Sequence, residues 1–494
     1  MEHNYNISKS RYCRGVQCPK ILWMEINKPE EAKTDVSDSV LENGRIVGEL
    51  ARSYFGEYNL VEFSHDKEYM CKTTVNLIDC GSMNIAEASF IYDGLYCAVD
   101  ILHRDDDGWD IVEVKSSTSV SDNYIDDMAF QLYVLEKCGL NIKTVYNLHI
   151  DNTYVRHGEL DLNGLFVLED CTGAVRHNSL SVEKNIQAIR EYMAIDHEED
   201  RDIDIYCDSP YECAFKSYCG KHLPNDSVFD ISRMSITKKY DLYHDGIVSF
   251  EDLLDHRVKL SSKQMLQVLT AVEGRPDHID TKEIISFINA LSYPIYHLDF
   301  ETFQQAVPEF EGGIPYAQIP FQYSLHIEYE DGRLVHKEFL AKEGTDPRRA
   351  LAEQLCKDIP KGVCSLAYNM SFEKTVLKNL ANEFTDLYEH LMDIHDNMHD
   401  LMIPFSKGHY YNVAMKGSYS IKYVLPALYP GDPELDYHNL DSVHNGSEAS
   451  AAFLTMAQKT PEEIAALREN LLKYCGLDTY AMVKVLAKLR EVVE

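Results

Sequence analysis

Two carboxylates lie one residue apart in the segment HLDFET, near the end of an apolar stretch. Side chains two positions apart on a β-strand point to the same face, so Asp299 and Glu301 project together. Two like charges on a buried face are unfavourable unless a cation lies between them. Glu373 in YNMSFEK and Asp478 in YCGLDT add two acidic groups, and Tyr474 lies one helical turn before Asp478. Oxygen ligands of this kind suit two Mg²⁺ or Mn²⁺ ions, which promote phosphodiester hydrolysis.

A second group of charged residues lies in the first third of the chain. The E-x-K pattern in IVEVKSS puts Glu113 and Lys115 on one face of a strand, and Asp100 in CAVDIL joins them if the two strands pair. Two carboxylates can hold a metal ion, and a lysine beside it can activate water or stabilise the leaving charge. Glu87 in IAEASF is a further candidate ligand, and Gln131 on the next helix is expected to lean over the site.

Three of the thirteen cysteines form a cluster, whereas most of the others stand alone among apolar residues. Cys207, Cys213 and Cys219 are separated by two consecutive C-x5-C gaps, which differ from the short C-x2-4-C pairs of zinc sites. Three thiolates also leave a tetrahedral zinc site one ligand short. Structural thiols without a ligand and an unusual zinc site are both open readings of these residues.

The elements that must position these residues fall into an N-terminal domain and a connector. Residues 1–225 begin with two helical stretches, near 8–26 and 40–55, and continue into strands followed by an amphipathic helix near 124–138. Residues 226–290 lack strand signals and are predicted to form a connector of short helices.

A new region of mixed strands and helices occupies residues 291–494. Two antiparallel strands are predicted on either side of EDGR at 330–333, and a long helix is predicted near 461–493. Strands alternate with helices in both large regions, so the predicted fold class is α/β.

Composition limits the class of protein. The hydrophobic content of 45% is ordinary for a globular chain, and no apolar run reaches the roughly 18 residues of a membrane span. The N-terminus has no apolar signal-peptide core, so a cytoplasmic protein is expected. A net charge of −34 argues against a broadly basic surface, so attraction for phosphates would have to come from a local basic groove and bound metal ions.

The order of D-x-E, N-x3-E and Y-x3-D resembles that of the DnaQ-like (DEDD) exonucleases, which have an RNase H-like fold. The resemblance implies that Tyr474 orients or deprotonates the attacking water, that Asn369 shapes the site, and that four residues bind metal: Asp299, Glu301, Glu373 and Asp478. The family usually has aspartate where this chain has Glu373. The extra methylene changes the reach of that carboxylate and shifts the expected metal geometry.

The N-terminal set of charged residues resembles that of the PD-(D/E)xK nucleases of the RecB type, which include CRISPR-associated and AddB-type enzymes. Their helix motif is Q-x3-Y, whereas this chain has QLYVL, with leucine at the tyrosine position. Enzymes of this group use one cysteine of an N-terminal C-P-[RK] segment and three later cysteines to hold a [4Fe–4S] cluster. The resemblance implies the cluster ligands Cys18, Cys207, Cys213 and Cys219, with Cys13 as a spare thiol.

Together the motifs resemble a bacterial family that joins a RecB-type nuclease domain to a DnaQ-like exonuclease domain. The leading hypothesis is a two-site, metal-dependent nuclease that degrades DNA from single-stranded ends, in repair or in defence against foreign DNA. RNA processing by the same carboxylates is the first alternative. A non-catalytic subunit that binds nucleic-acid ends is the second, because Glu373 and the altered Q-x3-Y motif are also compatible with decayed sites.

Overall fold

The computed structural model describes residues 7–33, 38–105, 107–440 and 443–494. The chain divides into two compact units. Unit 1 comprises Met1–His222 and the segment Gln305–Ala317, and unit 2 comprises Leu223–Gln304 and Gln318–Glu494. Both units combine helices with β-sheet, as the α/β prediction requires. In the part of the chain that the structure describes, every helix is too short or too polar to cross a membrane.

Unit 1 is built on a seven-stranded mixed sheet. The spatial order is β2-β3-β4-β5-β6-β7, with β1 paired to β4. Neighbours β3, β4 and β5 are antiparallel, whereas β5 and β6 are parallel. The strands are β1 Ile7–Ser8, β2 Asn59–Leu60, β3 Asn84–Tyr92, β4 Leu95–Asp105, β5 Gly108–Val114, β6 Ile142–Ile150 and β7 Phe166–Asp170.

Helices cover the sheet of unit 1 and bury its largest apolar cluster, which includes Phe130 and Leu135. The helical stretch predicted near 8–26 is two helices, because the proline at 19 disfavours helical backbone at Cys18, which is extended. The helices are α1 Lys9–Gln17, α2 Pro19–Asn27, α3 Asp38–Ala51, α4 Lys67–Asp79, α5 Asp122–Lys137, α6 Leu162–Leu165, α7 Thr172–Met193 and α8 Lys216–Cys219.

Unit 2 contains a five-stranded mixed sheet. Its order is β11-β10-β9-β12-β13, in which β9, β10 and β11 are antiparallel neighbours and β12 runs parallel to β9 and β13. The predicted hairpin at EDGR is confirmed, since it joins β10 to β11. The strands are β9 Ile295–Phe303, β10 Ile319–Glu328, β11 Leu334–Leu340, β12 Cys364–Ala367 and β13 Met398–Asp400; a separate pair is β8 His278–Ile279 and β14 Tyr410–Tyr411.

The helices of unit 2 include the predicted C-terminal one, which runs from Pro461 to Glu491 and is capped by Thr460. It packs against β9 and β10. The predicted connector, 226–290, contains four α-helices, a 3₁₀ turn at Val228–Asp230 and the short strand β8, joined by loops. The helices are α9 Ile236–His244, α10 Phe250–Asp255, α11 Ser262–Glu273, α12 Thr281–Asn289, α13 Arg348–Asp358, α14 Ser371–Glu383, α15 Tyr388–Asp396, α16 Ile403–Ser406, α17 Ile421–Leu428, α18 Gly446–Met456 and α19 Pro461–Glu491.

Candidate functional site

The acidic site of unit 2 begins on the central strand β9. Asp299 and Glu301 alternate with buried apolar residues, so both carboxylates point to the face covered by α18 and α19. The paired strand β10 places Ser324 opposite Asp299 and Gln322 opposite Glu301. Glu301 is only 7% exposed, so its charge is largely removed from water.

The third carboxylate, Glu373, lies in the first turn of α14 and is 2% exposed. The turn before the helix is fixed by Asp400, at the end of β13. One oxygen of Asp400, Oδ1, accepts hydrogen bonds from the backbone N–H groups of Asn369 and Met402, both at 2.9 Å. Asn369 has a φ of 71°, a backbone conformation that asparagine tolerates better than most residues. Asp400 therefore holds the loop that presents Glu373.

Helix α19 supplies the remaining predicted residues, Tyr474 and Asp478. The hydroxyl of Tyr437 donates a hydrogen bond of 2.7 Å to Asp478 Oδ1, and the rings of Tyr437 and Tyr474 pack edge to face. Cys475 is fully buried, and its sulfur forms a group with one oxygen each of Asp299 and Glu301, all within 4.8 Å of one another.

Burial raises the pKa of every carboxyl in this group. Burial raises the pKa of Asp299 well above its ordinary value, and the charges of Asp478, Glu373 and Glu301 add to the rise. Burial also raises the pKa of Glu301 and of Glu373 to about 8. The pKa of Asp478 is about 6, because the hydrogen bond from Tyr437 and the charge of Lys422 oppose the effect of burial.

The acidic group of unit 2 has the properties of a cation site. Glu373 Oε2 is buried and has no hydrogen-bond partner. A buried carboxylate oxygen without a partner is costly, and the cost grows when other carboxylates lie nearby. A divalent cation would give this oxygen a partner and would also supply the missing positive charge. The residues present therefore fit hard metal ions, with one thiol, Cys475, at the edge of the group.

The predicted site of unit 1 is arranged around Glu113, which is 1% exposed at the end of β5. Lys9 Nζ contacts both carboxylate oxygens of Glu113, at 2.8 and 3.1 Å. Lys115 Nζ donates to Oε1 at 2.7 Å, and Gln131 Nε2 donates to Oε2 at 2.6 Å. Asp127 pairs with Lys115 at 2.9 Å and lies 3.7 Å from Lys9.

Two cations therefore already compensate the charge of Glu113. Burial alone would raise the pKa of Glu113, but Lys9 and Lys115 outweigh burial and lower it. Asp100 accepts a hydrogen bond of 2.7 Å from the N–H of Val114, and its pKa is raised to about 7 by burial and by the charge of Glu113. A metal ion bound by Asp100 and Glu113 does not fit while Lys9 occupies both oxygens of Glu113.

Glu87 lies outside this hydrogen-bonded group. Glu87 has a φ of 58°. The pairing of β3 with β4 is interrupted there, since Ala86 pairs with Ile101 and Ala88 with Val99, but Glu87 and Asp100 do not pair. The carboxylate of Glu87 instead forms an ion pair of 3.1 Å with Arg52. The irregular backbone turns this side chain away from the direction that simple alternation predicts.

The four predicted cluster cysteines line one small pocket. Cys18 lies at the junction of α1 and α2, and the N–H of Cys213 donates to the carbonyl of Cys207 at 2.9 Å. Burial raises the pKa of Cys207 to about 12 and that of Cys213 to about 11, and neighbouring thiols of the group add to both rises. Lys20 and Arg201 line the same pocket, so positive charge is available beside the sulfur atoms.

The sulfur atoms are not gathered as tightly as a single zinc ion would gather them. Among the described residues, the group in which three metal-binding side chains bring their ligand atoms within 4.8 Å of one another is the one formed by Asp299, Glu301 and Cys475. Zinc–sulfur bonds of about 2.3 Å in a tetrahedron place sulfur atoms roughly 4 Å apart. The wider spacing of the sulfur atoms therefore fits a single zinc ion less well than a larger inorganic group.

Comparison with known proteins gives one family match. Residues 296–420 match a family described as a domain of unknown function (DUF2779). The matched range includes Asp299, Glu301, Glu373 and Asp400, and ends before Tyr474 and the rest of α19. No curated protein matches the chain.

Five residues of the two sites were missed from the sequence. Asp400 carried only a weak signal, as the last residue of the three-residue strand β13. The others carried none, since their places depend on long-range packing: Lys9, Asp127, Tyr437 and Cys475.

Proposed function

We propose that this chain is a metal-dependent nuclease whose unit 2 hydrolyses phosphodiester bonds of DNA from the 3′ end. The observation that carries the proposal is a group of four interacting carboxylates from β9, α14 and α19, of which Glu301 and Glu373 are buried, Asp299 and Asp478 are half-buried, and Glu373 has an unpartnered oxygen. The family match covers the β9 and α14 members of the group.

The proposed roles follow from the position of each side chain. The residues that would hold Mg²⁺ or Mn²⁺ are Asp299, Glu301, Glu373 and Asp478. When bound, such ions stabilise negative charge on the attacking and leaving oxygens. Burial and the nearby carboxylates raise the pKa of Tyr474, so its hydroxyl stays protonated at neutral pH. Tyr474 would therefore orient the attacking water by a hydrogen bond.

Unit 1 is proposed as a second nucleic-acid site built on Lys115. Both oxygens of Glu113 are engaged by Lys9, Lys115 and Gln131, so we assign no metal-dependent step to this unit in the arrangement described. A second nuclease activity would require Lys9 Nζ to leave Glu113. The four cysteines, with Lys20 and Arg201 beside them, would hold a [4Fe–4S] cluster that ties the α1–α2 junction to the segment after α7.

The test is degradation of end-labelled strands by the purified full chain in a Lys115→Ala background. Single-stranded DNA with Mg²⁺ or Mn²⁺ is expected to shorten from its 3′ end. Asp299→Asn should lower the rate about 10³-fold or more, because it removes a metal ligand. Tyr474→Phe should lower turnover with little effect on strand binding. The control Glu389→Gln, at a site whose side chain is 91% exposed, should leave the rate unchanged.

The same assay separates the alternatives. Faster degradation of labelled RNA than of DNA would replace the DNA proposal by an RNA-processing one. Strand binding without any degradation in either metal would favour a non-catalytic, end-binding subunit. Wild-type rates in Asp299→Asn would show that the chemistry lies elsewhere.

A further inference from the structure

Three tyrosines from separate parts of unit 1 surround Lys115. Tyr124 is in the first turn of α5, and its ring lies 5.0 Å from Lys115 Nζ. Tyr211 belongs to the segment between Cys207 and Cys213, and Tyr316 belongs to the segment Gln305–Ala317. Asn123, the residue before Tyr124, hydrogen-bonds the Tyr211 hydroxyl, and the Tyr316 hydroxyl hydrogen-bonds the carbonyl of Ser116, the residue after Lys115. These contacts place the three tyrosines near Lys115.

Tyr211 presents its ring to solvent although it is held firmly. The residue is 61% exposed. Its hydroxyl accepts a hydrogen bond of 2.6 Å from Asn123 Nδ2, and its carbonyl accepts one of 2.7 Å from Gln17 Nε2. Gln17 also donates to the carbonyl of Tyr206, at 2.8 Å, so the segment is fixed at two points. An aromatic ring that is fixed in advance binds a flat partner with little further loss of conformational entropy.

A polar cleft of about 610 Å³ is lined by Tyr124 and Tyr316, and the Tyr124 ring lies 5.0 Å from Lys115 Nζ. The hydroxyl-rich run Ser116–Ser119 and Asn152 also line it. Tyr316 has a φ of 60° and donates a hydrogen bond from its hydroxyl to the carbonyl of Ser116. The cleft thus combines aromatic rings, hydrogen-bonding groups and a cation at one end.

We propose that Tyr211 and Tyr124 stack on unpaired bases of a nucleic-acid strand whose backbone passes Lys115, with Tyr316 closing the cleft. This proposal rests on the proposed nuclease function and adds that unit 1 binds the bases of the strand. Unpaired bases expose the flat faces that aromatic rings bind, whereas bases inside a duplex are already stacked. The chain carries a net charge of −34, so base stacking rather than phosphate attraction must supply much of the affinity.

The test is equilibrium binding to the full chain without divalent metal, measured by fluorescence anisotropy. The probes are a labelled oligothymidylate and a strand of the same length that lacks bases. Tyr211→Ala should weaken binding of the oligothymidylate by about tenfold, since stacking on one base is worth roughly 1–3 kcal/mol. Binding of the strand without bases should be unchanged. Tyr211→Phe should keep most of the affinity, because the ring remains.

Tyr69→Ala is the matched control, since Tyr69 is 58% exposed in the same unit and lies on α4. It should bind both probes as the wild type does, and melting curves should show that both alanine variants are folded. The proposal is overturned if Tyr211→Ala binds oligothymidylate normally or loses affinity for both probes equally. In either case Asp299-dependent degradation would still support the nuclease proposal. If the wild type neither binds nor degrades any strand, both proposals fail.

Discussion

At the scale of single residues, the two acidic sites balance their charge in different ways. In unit 2, burial raises the pKa values of four carboxyls. The charge of Lys422, an exposed residue, opposes the rise at Glu301 and Asp478. In unit 1, two ammonium groups contact Glu113 directly and lower its pKa. The first arrangement needs an added cation, whereas the second already contains its own.

Replacing Lys9 should therefore create metal affinity in unit 1. In an Asp299→Asn background, Lys9→Met removes one of the two cations that contact Glu113, and Mn²⁺ should bind there roughly tenfold more tightly or better. The reason is that an internal ion pair competes with the metal more strongly than the ~1 kcal/mol of a surface pair. Isothermal titration calorimetry measures the affinity. Lys143→Met is the control, because Lys143 pairs only with exposed Asp105 and Asp107. Equal Mn²⁺ affinity in the two variants would contradict the prediction.

At the scale of elements, β10 positions the helix that carries Tyr474 and Asp478. Gln322 Nε2 donates to the carbonyl of Leu471 at 2.8 Å. Thr479 Oγ1 lies 2.6 Å from Ser324 Oγ and 2.7 Å from His326 Nδ1. Burial lowers the pKa of His326 to about 3, so this contact involves a neutral imidazole at neutral pH. Polar groups on a buried strand thus fix the rotation and height of α19 above β9.

Thr479→Val tests this contact. The substitution keeps the shape of the side chain but leaves His326 Nδ1 without its hydrogen-bond partner, which costs about 1–3 kcal/mol of unfolding free energy. Ser324 keeps its contact with His336. We expect a lower melting temperature and weaker Mn²⁺ binding at the adjacent Asp478, both measurable on the same sample. Thr455→Val is the control, because Thr455 is exposed and bonds only to backbone carbonyls of α18. A variant of Thr479 with normal stability and metal affinity would show that β10 does not position α19 through this side chain.

At the scale of the whole molecule, the cysteine pocket connects distant parts of unit 1. Cys18 precedes the group of Cys207, Cys213 and Cys219 by almost two hundred positions. A cluster bound there closes a long loop, which restricts the unfolded chain, and its metal–thiolate bonds add to folded stability.

A [4Fe–4S] cluster held by the four cysteines would colour the protein. Protein purified without oxygen should be brown and contain iron and sulfide in equal amounts. Cys207→Ser should lose the colour and much of the soluble protein, because one ligand and the loop closure are lost together. Cys356→Ser, which changes a partly buried thiol of unit 2, should change neither. Colourless protein with one equivalent of zinc would exclude the iron–sulfur cluster and leave the assignment of the carboxylates intact.

Stability of the whole chain should depend on pH and metal through unit 2. Glu301 and Glu373 have pKa values of about 8, above the ordinary value of 4.5, so the folded state binds their protons more tightly than the unfolded state does. The stability from this proton binding is fully present below about pH 4.5 and is lost as the pH rises through about 8. Without divalent metal, the melting temperature of unit 2 should fall across that window.

Mn²⁺ should restore the melting temperature most at the alkaline end, since the ion replaces the lost protons. Scanning calorimetry with and without Mn²⁺ measures the effect. The Glu301→Gln variant should show a smaller dependence on pH, because one of the carboxyls that titrates in the window is gone. If the melting temperature of the wild type did not change with pH or Mn²⁺, the acidic group of unit 2 would not be a cation site.

The sequence alone determined the features that depend on local periodicity. Alternation on β9 puts Asp299 and Glu301 on one face, and the helical repeat puts Tyr474 and Asp478 one turn apart on α19. The hairpin between β10 and β11 and the bounds of the last helix followed from turn residues and a capping box in the same way. These features are set by residues within a few positions of one another.

The tertiary structure decided which charges meet. Lys9 reaches Glu113 across 104 positions, and Tyr437 reaches Asp478 across 41. The irregular backbone at Glu87 sends its carboxylate to Arg52, although alternation on β3 would direct it otherwise. Such contacts depend on how helices and strands from distant parts of the chain pack, and no short-range pattern encodes that packing. Only the folded chain therefore shows that one acidic site contains its own cations and the other does not.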